Sequence, residues 1–224
     1  MSKHIIREDG NLILKFKDEV SAFNGLKKAK IKNKGRLSNH ISAILFKHLE
    51  SNGIPTHFIE LVDDTSQSVH DVEMIPLEII IRNIAAGPWL ESLGFAEGAL
   101  LQEPIIELCF KSNKLSDPIL HDSHIVAMGL SDQKTLDEIK AMSMVINSSL
   151  IDLFDQASIK LVDIKLEFGI FKHKLVLADS LSPDTLRLWD KETNAHLDKD
   201  VFRKELGKLD KAYETVLKRL EAIQ

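Results

Sequence analysis

The sequence predicts an α+β fold with two lobes that enclose a cleft. Strand-like segments rich in β-branched residues dominate the chain up to about residue 83. Two long amphipathic segments further along have the period of a helix. Residues 161–179 read as two strands joined by a short turn, which is typical of an antiparallel hairpin. This order is neither a strict alternation of strands and helices nor a helical bundle.

The first half of the chain is predicted to contain three main strands and one helix. Residues 11–17, 56–62 and 73–83 have strand character. Residues 37–53 form a helix that ends at Asn52-Gly53, because its apolar residues share one face: Ile41, Ile44, Leu45 and Leu49. Residues 84–94 contain two glycines and a proline, which indicates a loop or a broken helix.

The second half combines two helices with the hairpin. A helix over residues 131–156, capped by Ser131, has an apolar side formed by Leu136, Ile139, Ile146, Leu150, Leu153 and Phe154. The hairpin strands cover 161–169 and 173–179, and a last helix runs from about Asp198 to Ile223. We therefore expect a β-rich lobe over residues 1–83 and an α/β lobe over residues 84–224.

Composition limits the classes of function. The chain has 224 residues, of which 44% are hydrophobic and 28% charged, so it can bury a full core. The formal net charge of −5 disfavours sequence-independent binding of nucleic acid. The single cysteine, Cys109, excludes an internal disulfide and lies in an apolar run typical of a buried thiol. Without a long apolar segment, we expect a cytoplasmic protein with no membrane partner.

The strand "LVDIKLEFG" alternates apolar residues with charged ones: Asp163, Lys165 and Glu167. One face of this strand is therefore charged. If residue 169 lies opposite residue 175, Lys165 faces Asp179 on the next strand, with Glu167 diagonally placed. A structural ion-pair network explains this cluster, and so does a Mg²⁺ ion that carries substrate phosphates. The hairpin alone leaves both explanations open.

Cations near the ends of other apolar strands suggest a cleft for a polyanionic ligand: Arg82, Lys111 and Arg187. Arg187 follows Ser182 in a turn that contains proline, and arginine suits bidentate binding of phosphate. Asp200 and Arg203 alone read as the solvated start of a helix. The nine histidines show no zinc-type spacing, so we interpret them as surface or core residues.

Several segments together resemble the SAICAR synthetase family of the short bacterial type. They occur in the family's order: "SAFNGLKKAKIKNKGRLSNHISAILFKHLESNGIPTHF", "MIPLEIIIRNIAAG", "EPIIELCFK", "LVDIKLEFG", "LSPDTLRLWDKET" and "LDKDVFRKELG". The similarity covers the chain from about residue 11 onward, and its most specific motifs are "DxKLEFG" and "SPDxxRLWD".

This resemblance implies a fold with an ATP-grasp or kinase-like nucleotide cleft and a step of purine biosynthesis. ATP would phosphorylate the carboxylate of carboxyaminoimidazole ribonucleotide, and L-aspartate would displace the phosphate to form an amide. Lys165 and Lys111 would offset charge in catalysis, and Glu167 and Asp179 would hold Mg²⁺. Substrate would be bound by Arg82, Arg187, Asp200, Arg203 and Ser182, and the nucleotide by Lys3, Val72, Met74, Glu167 and Asp179. A homo-oligomer is also possible.

The sequence departs from the family pattern at several site motifs. The glycine-lysine loop expected near the start has no counterpart, and Lys3 stands where its last lysine would be. Pro88 stands where the family motif has a serine, and Glu91 where it has a cation. The family's "KND" is here "KSN", which ends at Asn113, and Ser180 replaces the usual acid after Asp179. Two explanations remain open: an active enzyme with a shortened start, or a diverged relative. Such a relative would bind a nucleotide or ribonucleotide without catalysis, or ligate a different carboxylate and amine.

Overall fold

A computed structural model describes residues 3–8, 11–87 and 94–224. Its helices are α1 (Lys34–Ser51), α2 (Asp122–Ala127), α3 (Gln133–Gln156), α4 (Asp200–Arg203) and α5 (Leu209–Glu221). Its strands are β1 (Lys3–Glu8), β2 (Asn11–Phe16), β3 (Glu19–Ala22), β4 (Lys27–Lys30), β5 (Phe58–Asp63), β6 (Ser66–Val69), β7 (Glu73–Met74), β8 (Leu77–Ile84), β9 (Leu100–Phe110), β10 (Ile119–Leu120), β11 (Ile159–Phe171), β12 (Lys174–Ala178) and β13 (Leu186–Asp190).

The described strands form three sheets. A sheet of four strands has the order β1-β2-β6-β5, and β3 pairs only with β4 as a separate hairpin. The largest sheet has the order β10-β9-β8-β11-β12, and β11 also pairs with β7 and β13. Since β11 pairs with four other strands, it is the centre of this sheet. The mixture of antiparallel sheets and helices confirms the predicted α+β class.

The main core lies between the largest sheet and the helices. The apolar residues of β11 from Ile159 to Phe168 are almost completely buried, and most of them join one core with the inner faces of α1, α3 and α5. Helix α1 also packs against α5 and against β5. Because one face of β11 is filled by this packing, its charged residues point to the opposite face of the sheet. Cys109 is a free, buried thiol, as the sequence predicts.

The two predicted long helices are present with shifted starts. Helix α1 begins at Lys34, three residues before the predicted start at residue 37. Helix α3 ends at residue 156 as predicted, and its apolar side is buried. The predicted cap, Ser131, is wrong. Asp132 directly precedes the helix, and its carboxylate accepts a hydrogen bond from the backbone N–H of Thr135 at 2.7 Å.

The prediction of one continuous last helix is wrong. The chain forms the short α4, breaks over residues 204–208, and resumes as α5. Glu205 and Gly207 both have positive φ, of 57° and 145°, which a continuous right-handed helix does not allow. The predicted strand over residues 73–83 is also divided, because Pro76 separates β7 from β8. Within the described ranges, every helix is too short or too polar to span a membrane.

The hairpin of β11 and β12 is antiparallel as predicted, but its register differs by one residue. Gly169 pairs with Val176 and Glu167 with Ala178, whereas the prediction placed residue 169 opposite 175. A shift of one residue would turn Asp179 to the apolar face if β12 continued. The strand instead ends at Ala178, and Asp179 adopts a left-handed conformation with φ of 62°. The division at residue 83 stays a prediction; β8 and β11, on either side of it, belong to one sheet.

Gly35 offers a test of the packing between α1 and β2. A Cβ atom at Gly35 would lie 2.8 Å from the carbonyl oxygen of Phe16 and 3.1 Å from the carbonyl carbon of Lys17. Helix propensity favours alanine over glycine by about 1 kcal/mol. Overpacking against a fixed backbone costs about 1–3 kcal/mol. We expect the overpacking to exceed the gain in helix propensity, so that Gly35→Ala lowers the free energy of unfolding by about 1 kcal/mol, measured with urea.

Lys47→Ala on the exposed side of α1 is the matched control, and we expect it to change stability by less than about 0.5 kcal/mol. A more stable Gly35→Ala variant would contradict the close approach of α1 to Phe16.

Candidate active site

One face of the largest sheet carries a row of charged side chains, which we call the charged face. It consists of Glu78 and Arg82 on β8, Glu107 on β9, Asp163, Lys165 and Glu167 on β11, and Arg187 on β13. The register places Asp163 beside both Arg82 and Arg187. Because alternate residues of β11 share this face, arginines lie at one end of the row and lysines at the other.

Glu167 and Asp179 form a carboxylate centre at the lysine end. Lys111 contacts Glu167, and Lys165 lies 3.6 Å from the other oxygen of Glu167. Lys3 donates to Asp179 Oδ1 at 2.6 Å. Burial, together with the charge of Asp179, raises the pKa of Glu167. Burial also acts to raise the pKa of Asp179, but Lys3 and the other lysines outweigh it and lower that pKa.

Lys165 links this centre to β8. Its ammonium donates to Glu78 Oε1 at 2.5 Å. Burial acts to lower the pKa of Lys165, but the charges of Glu78 and Glu167 outweigh burial and raise it. Lys165 therefore stays protonated and supplies a fixed positive charge beside the carboxylate centre.

The arginine end of the charged face is a network of ion pairs. Arg187 donates to Asp163 at 2.6 Å and to Asp200 at 3.0 Å, and Arg203 donates to the other oxygen of Asp200 at 2.5 Å. Arg82 donates to Asp163 at 3.3 Å and to Glu107 at 2.6 Å. Arg82 lies near the end of β8, as predicted, whereas Arg187 lies in β13, so its predicted place in a turn is wrong. Lys111 does follow β9, as predicted.

Gly87 brings the backbone close to this network. Its φ is 91°, and a Cβ atom there would lie 3.0 Å from the guanidinium of Arg187. Only glycine combines this conformation with such a close approach. The neighbouring positions Pro88 and Glu91, where the sequence departs from the family pattern, lie outside the described residues.

A buried polar cluster supports the turn that contains Ser182. Lys34, at the start of α1, is 1% exposed and pairs with Asp184. The hydroxyl of Tyr213 donates to the other oxygen of Asp184 at 2.9 Å. Burial acts to raise the pKa of Asp184, but Lys34 and Lys199 outweigh burial and lower it to about 2. The hydroxyl of Ser182 accepts from the backbone N–H of Asp184 at 3.3 Å, which orders the turn.

A cavity of about 970 Å³ lies between the charged face and the β3–β4 hairpin. The cavity is lined on one side by Lys165, Glu78 and Arg203. Further lining residues are Ser21, Lys28 and Lys30 of the hairpin, together with Asp117 and Lys199. Lys27 holds the hairpin across the cavity, because its ammonium donates to the carbonyl of Phe202 and to Glu205, both at 2.8 Å. This cavity is therefore a cleft with a floor of ordered charges.

The segment around Val72 and Met74 lies beside the second half of β11. Met74 pairs with Gly169, and Met74 is 40% exposed. A Cβ atom on Gly169 would lie 2.7 Å from Cγ2 of Val72, so this glycine permits β7 to approach β11. Val72 and Met74 thus lie next to the strand that carries Glu167.

The donors of the carboxylate centre fit a magnesium ion. Two carboxylates close together, one of them with a raised pKa, gain from an added divalent cation. A second cluster of metal-ligating residue types consists of His196, Asp198 and Asp200, whose ligand atoms lie within 4.8 Å of one another. There, Asp200 already pairs with two arginines, and Asp198 accepts two backbone N–H groups at 2.6 and 2.8 Å. That group is therefore a structural network of the arginine end.

Comparison with known proteins decides the family. The family model described as SAICAR synthetase matches residues 3–220. The chain belongs to the SAICAR synthetase family. The resemblance stated from the sequence motifs is confirmed.

Relatives and solved structures agree with this assignment. The phosphoribosylaminoimidazole-succinocarboxamide synthase of Desulfitobacterium hafniense is 49% identical over 216 residues, which cover 96% of this chain and 91% of the relative. The enzyme of that name from Bacillus subtilis is 44% identical in an alignment that covers 96% of this chain and 90% of the relative. The crystal structure of the synthase from Ehrlichia chaffeensis has a TM-score of 0.96 at 43% identity and covers 100% of this chain and 97% of its own.

A SAICAR synthetase solved in complex with ADP has a TM-score of 0.95 at 42% identity, and it covers 98% of this chain and 94% of its own. The predicted fold class is therefore confirmed.

The structure brings the sequence-predicted site residues together in two groups. Lys3, Lys111, Lys165, Glu167 and Asp179 form the carboxylate centre with its cations. A second group surrounds Asp163 and consists of Arg82, Arg187, Asp200 and Arg203. Ser182 lies in the turn that contains Asp184. Their roles in binding and catalysis stay predictions.

Sequence reasoning missed several residues of the cleft. Glu78 lies in the apolar run "PLEIIIRN", and the same logic that singled out Lys165 could have found it. The hairpin lysines Lys28 and Lys30 carry no such signal, because lysines on a short exposed strand are common. His57, whose ring contacts the backbone of Asp179, also gave no signal.

The buried ion pair of Lys34 and Asp184 gives a testable prediction. Lys34→Met leaves a buried carboxylate without its main counter-ion, and breaking such a pair costs about 3–5 kcal/mol. We expect Lys34→Met to lower the free energy of unfolding by about 3 kcal/mol in urea at neutral pH. Adding Asp184→Asn removes the stranded charge and keeps an acceptor for Tyr213.

The double variant should therefore recover at least about half of that loss. A double variant that is as unstable as Lys34→Met would contradict the electrostatic cause.

Proposed function

We propose that this SAICAR synthetase uses ATP and Mg²⁺ to join L-aspartate to 5-amino-1-(5-phospho-ribosyl)imidazole-4-carboxylate. A carboxylate oxygen of the ribonucleotide attacks the γ-phosphorus of ATP, and ADP leaves. The amine of aspartate then attacks the carbonyl carbon of the acyl phosphate. Phosphate departs with the C–O bond electrons, the amine loses a proton, and the amide SAICAR remains. This is a carbon–nitrogen ligation of de novo purine biosynthesis.

The carboxylate centre is the observation that carries this proposal. Glu167 and Asp179 would hold Mg²⁺, which on binding would neutralise phosphate charge and orient the phosphates. Lys165 is held by Glu78 at the floor of the cleft, and Lys111 reaches the same place from the end of β9. Both lysines would offset negative charge near the transferred phosphoryl group. Fixed cations are effective there because they need no reorganisation during the reaction.

The rest of the cleft suits anionic substrates. Its lining carries five cationic side chains and three acidic ones: Lys28, Lys30, Lys165, Lys199 and Arg203 against Glu19, Glu78 and Asp117. An excess of cations favours phosphorylated and dicarboxylate ligands. Arg82, Arg187, Asp200, Arg203 and Ser182 would bind the ribonucleotide, since arginine forks match phosphate geometry. Their mutual ion pairs hold these forks in place before substrate arrives.

The nucleotide would lie over the β-rich lobe of residues 1–83. Lys3 lies beside Asp179, where it can contact a phosphate, and Val72 and Met74 border β11 where the backbone can bind adenine. The solved relative in complex with ADP supports a nucleotide in this fold. We also propose that the protein works in the cytoplasm and assembles into a homo-oligomer.

The decisive experiment measures ADP release. With ATP, Mg²⁺, aspartate and the carboxylated ribonucleotide all present, we expect ADP to form in step with SAICAR. Omission of the ribonucleotide should abolish release, because the carboxylate that accepts the phosphoryl group belongs to the ribonucleotide. ADP formed only with a different carboxylate and amine, or ligand binding in calorimetry without any ADP, would favour the diverged relative instead.

Neutral variants of the carboxylate centre test the metal assignment. We expect Glu167→Gln and Asp179→Asn each to lower kcat at least about a hundredfold, because each amide is a weaker Mg²⁺ ligand with no charge. Glu60→Gln, at an exposed position of β5, is the control and should keep full activity. Steady-state kinetics against Mg²⁺ concentration provide the measurement, and normal turnover in both variants would refute the assignment.

A further inference from the structure

We propose that His57 is a positioning residue that fixes the aim of the Asp179 carboxylate. The backbone of Asp179 adopts a conformation with φ of 62°, which costs a residue other than glycine about 1 kcal/mol or more. This conformation is what turns its side chain toward Glu167 after β12 ends. Something in the structure must therefore hold the backbone there.

The segment that contains His57 holds this backbone at three points. The backbone N–H of His57 donates to the carbonyl of Leu177 at 2.9 Å, and the N–H of Leu177 donates to the carbonyl of Pro55 at 3.0 Å. Nε2 of His57 lies 2.8 Å from the carbonyl oxygen of Asp179. Since a carbonyl oxygen can only accept, Nε2 carries the proton. This last hydrogen bond fixes the peptide plane that follows Asp179.

His57 is itself rigid enough to act as an anchor. The residue is 4% exposed, and its own carbonyl accepts from the N–H of His70 at 2.7 Å. Its ring packs edge-on against Phe46 in the core, with 5.5 Å between the ring centres. The donor at Nε2 therefore has a fixed position relative to both α1 and the sheet.

The consequence concerns metal binding. Without the donor, Asp179 can rotate about its N–Cα bond to a negative φ, which moves its carbonyl and its side chain together and turns the carboxylate away from Glu167. Partners that orient metal-binding groups in this way typically change metal affinity by about 10–100-fold when they are removed. His57 would thus act through Asp179 and not on substrate. The inference rests on the proposed role of Asp179 in holding Mg²⁺.

A pair of substitutions of similar size separates the donor from packing. The amide nitrogen of His57→Gln can reach the Nε2 position and donate, whereas His57→Met has the same length without a donor. Binding of Mn²⁺, a spectroscopic substitute for Mg²⁺, is measured by electron paramagnetic resonance in the presence of ADP and without turnover. Circular dichroism establishes that each variant is folded. His40→Met, at a half-buried position of α1, is the matched control, and Asp179→Asn is the reference for a lost ligand.

We expect His57→Gln and His40→Met to bind Mn²⁺ within about threefold of wild type, and His57→Met to bind at least about tenfold more weakly. Wild-type affinity in a folded His57→Met variant would overturn the proposal, as would equal weakening in the Gln and Met variants. If His57→Met does not fold, His57→Asn replaces it, since its shorter amide cannot reach the carbonyl. Wild-type affinity in that variant would equally overturn the proposal. Failure of the wild-type protein to bind Mn²⁺ with ADP would instead overturn the proposed function.

Discussion

Burial of acidic side chains on a central strand is the constraint that shapes the charged face. An unpaired carboxylate in a protein interior costs several kcal/mol. Strand β11 carries Asp163 and Glu167, which are 5% and 3% exposed. Two arginines meet the first carboxylate and two lysines lie near the second. These cations belong to β8, β13, the end of β9 and β11 itself. Most of the ion pairs that stabilise the buried carboxylates therefore also link the central strand to its neighbours.

The same pairing makes the site rigid before any ligand arrives. A guanidinium held at two carboxylates, as Arg187 is by Asp163 and Asp200, has little rotational freedom left to lose on binding. The close approach of Gly87 restricts it further. The buried pair of Lys34 and Asp184 orders the turn that contains Ser182. Stability and pre-organisation therefore come from the same contacts, and removing one partner affects both.

The sequence predicts the parts of this arrangement that depend on local periodicity. The alternation along β11 identifies Asp163, Lys165 and Glu167 as one face, because side chains alternate across any strand. The alternation does not predict the register between β11 and β12, because the turn between the two strands sets that register. The predicted register is wrong by one residue. Asp179 reaches the carboxylate centre only through its left-handed backbone, which no periodicity reveals. The contacts of His57 and Lys34 join segments more than a hundred residues apart, beyond the reach of local patterns.

Ser180 shows how a departure from the family pattern changes the charge balance. Lys3 donates to Asp179 Oδ1 and to the hydroxyl of Ser180, both at 2.6 Å. A hydroxyl accepts this second hydrogen bond without adding charge, whereas an acid would add one. Three ammonium groups then face three carboxylates at this end of the charged face. Because each of these ammonium groups is already paired with a carboxylate, the lysines can offset only part of the charge of a nucleotide phosphate that binds here. The remaining negative charge is the physical reason to expect a divalent metal at the carboxylate centre.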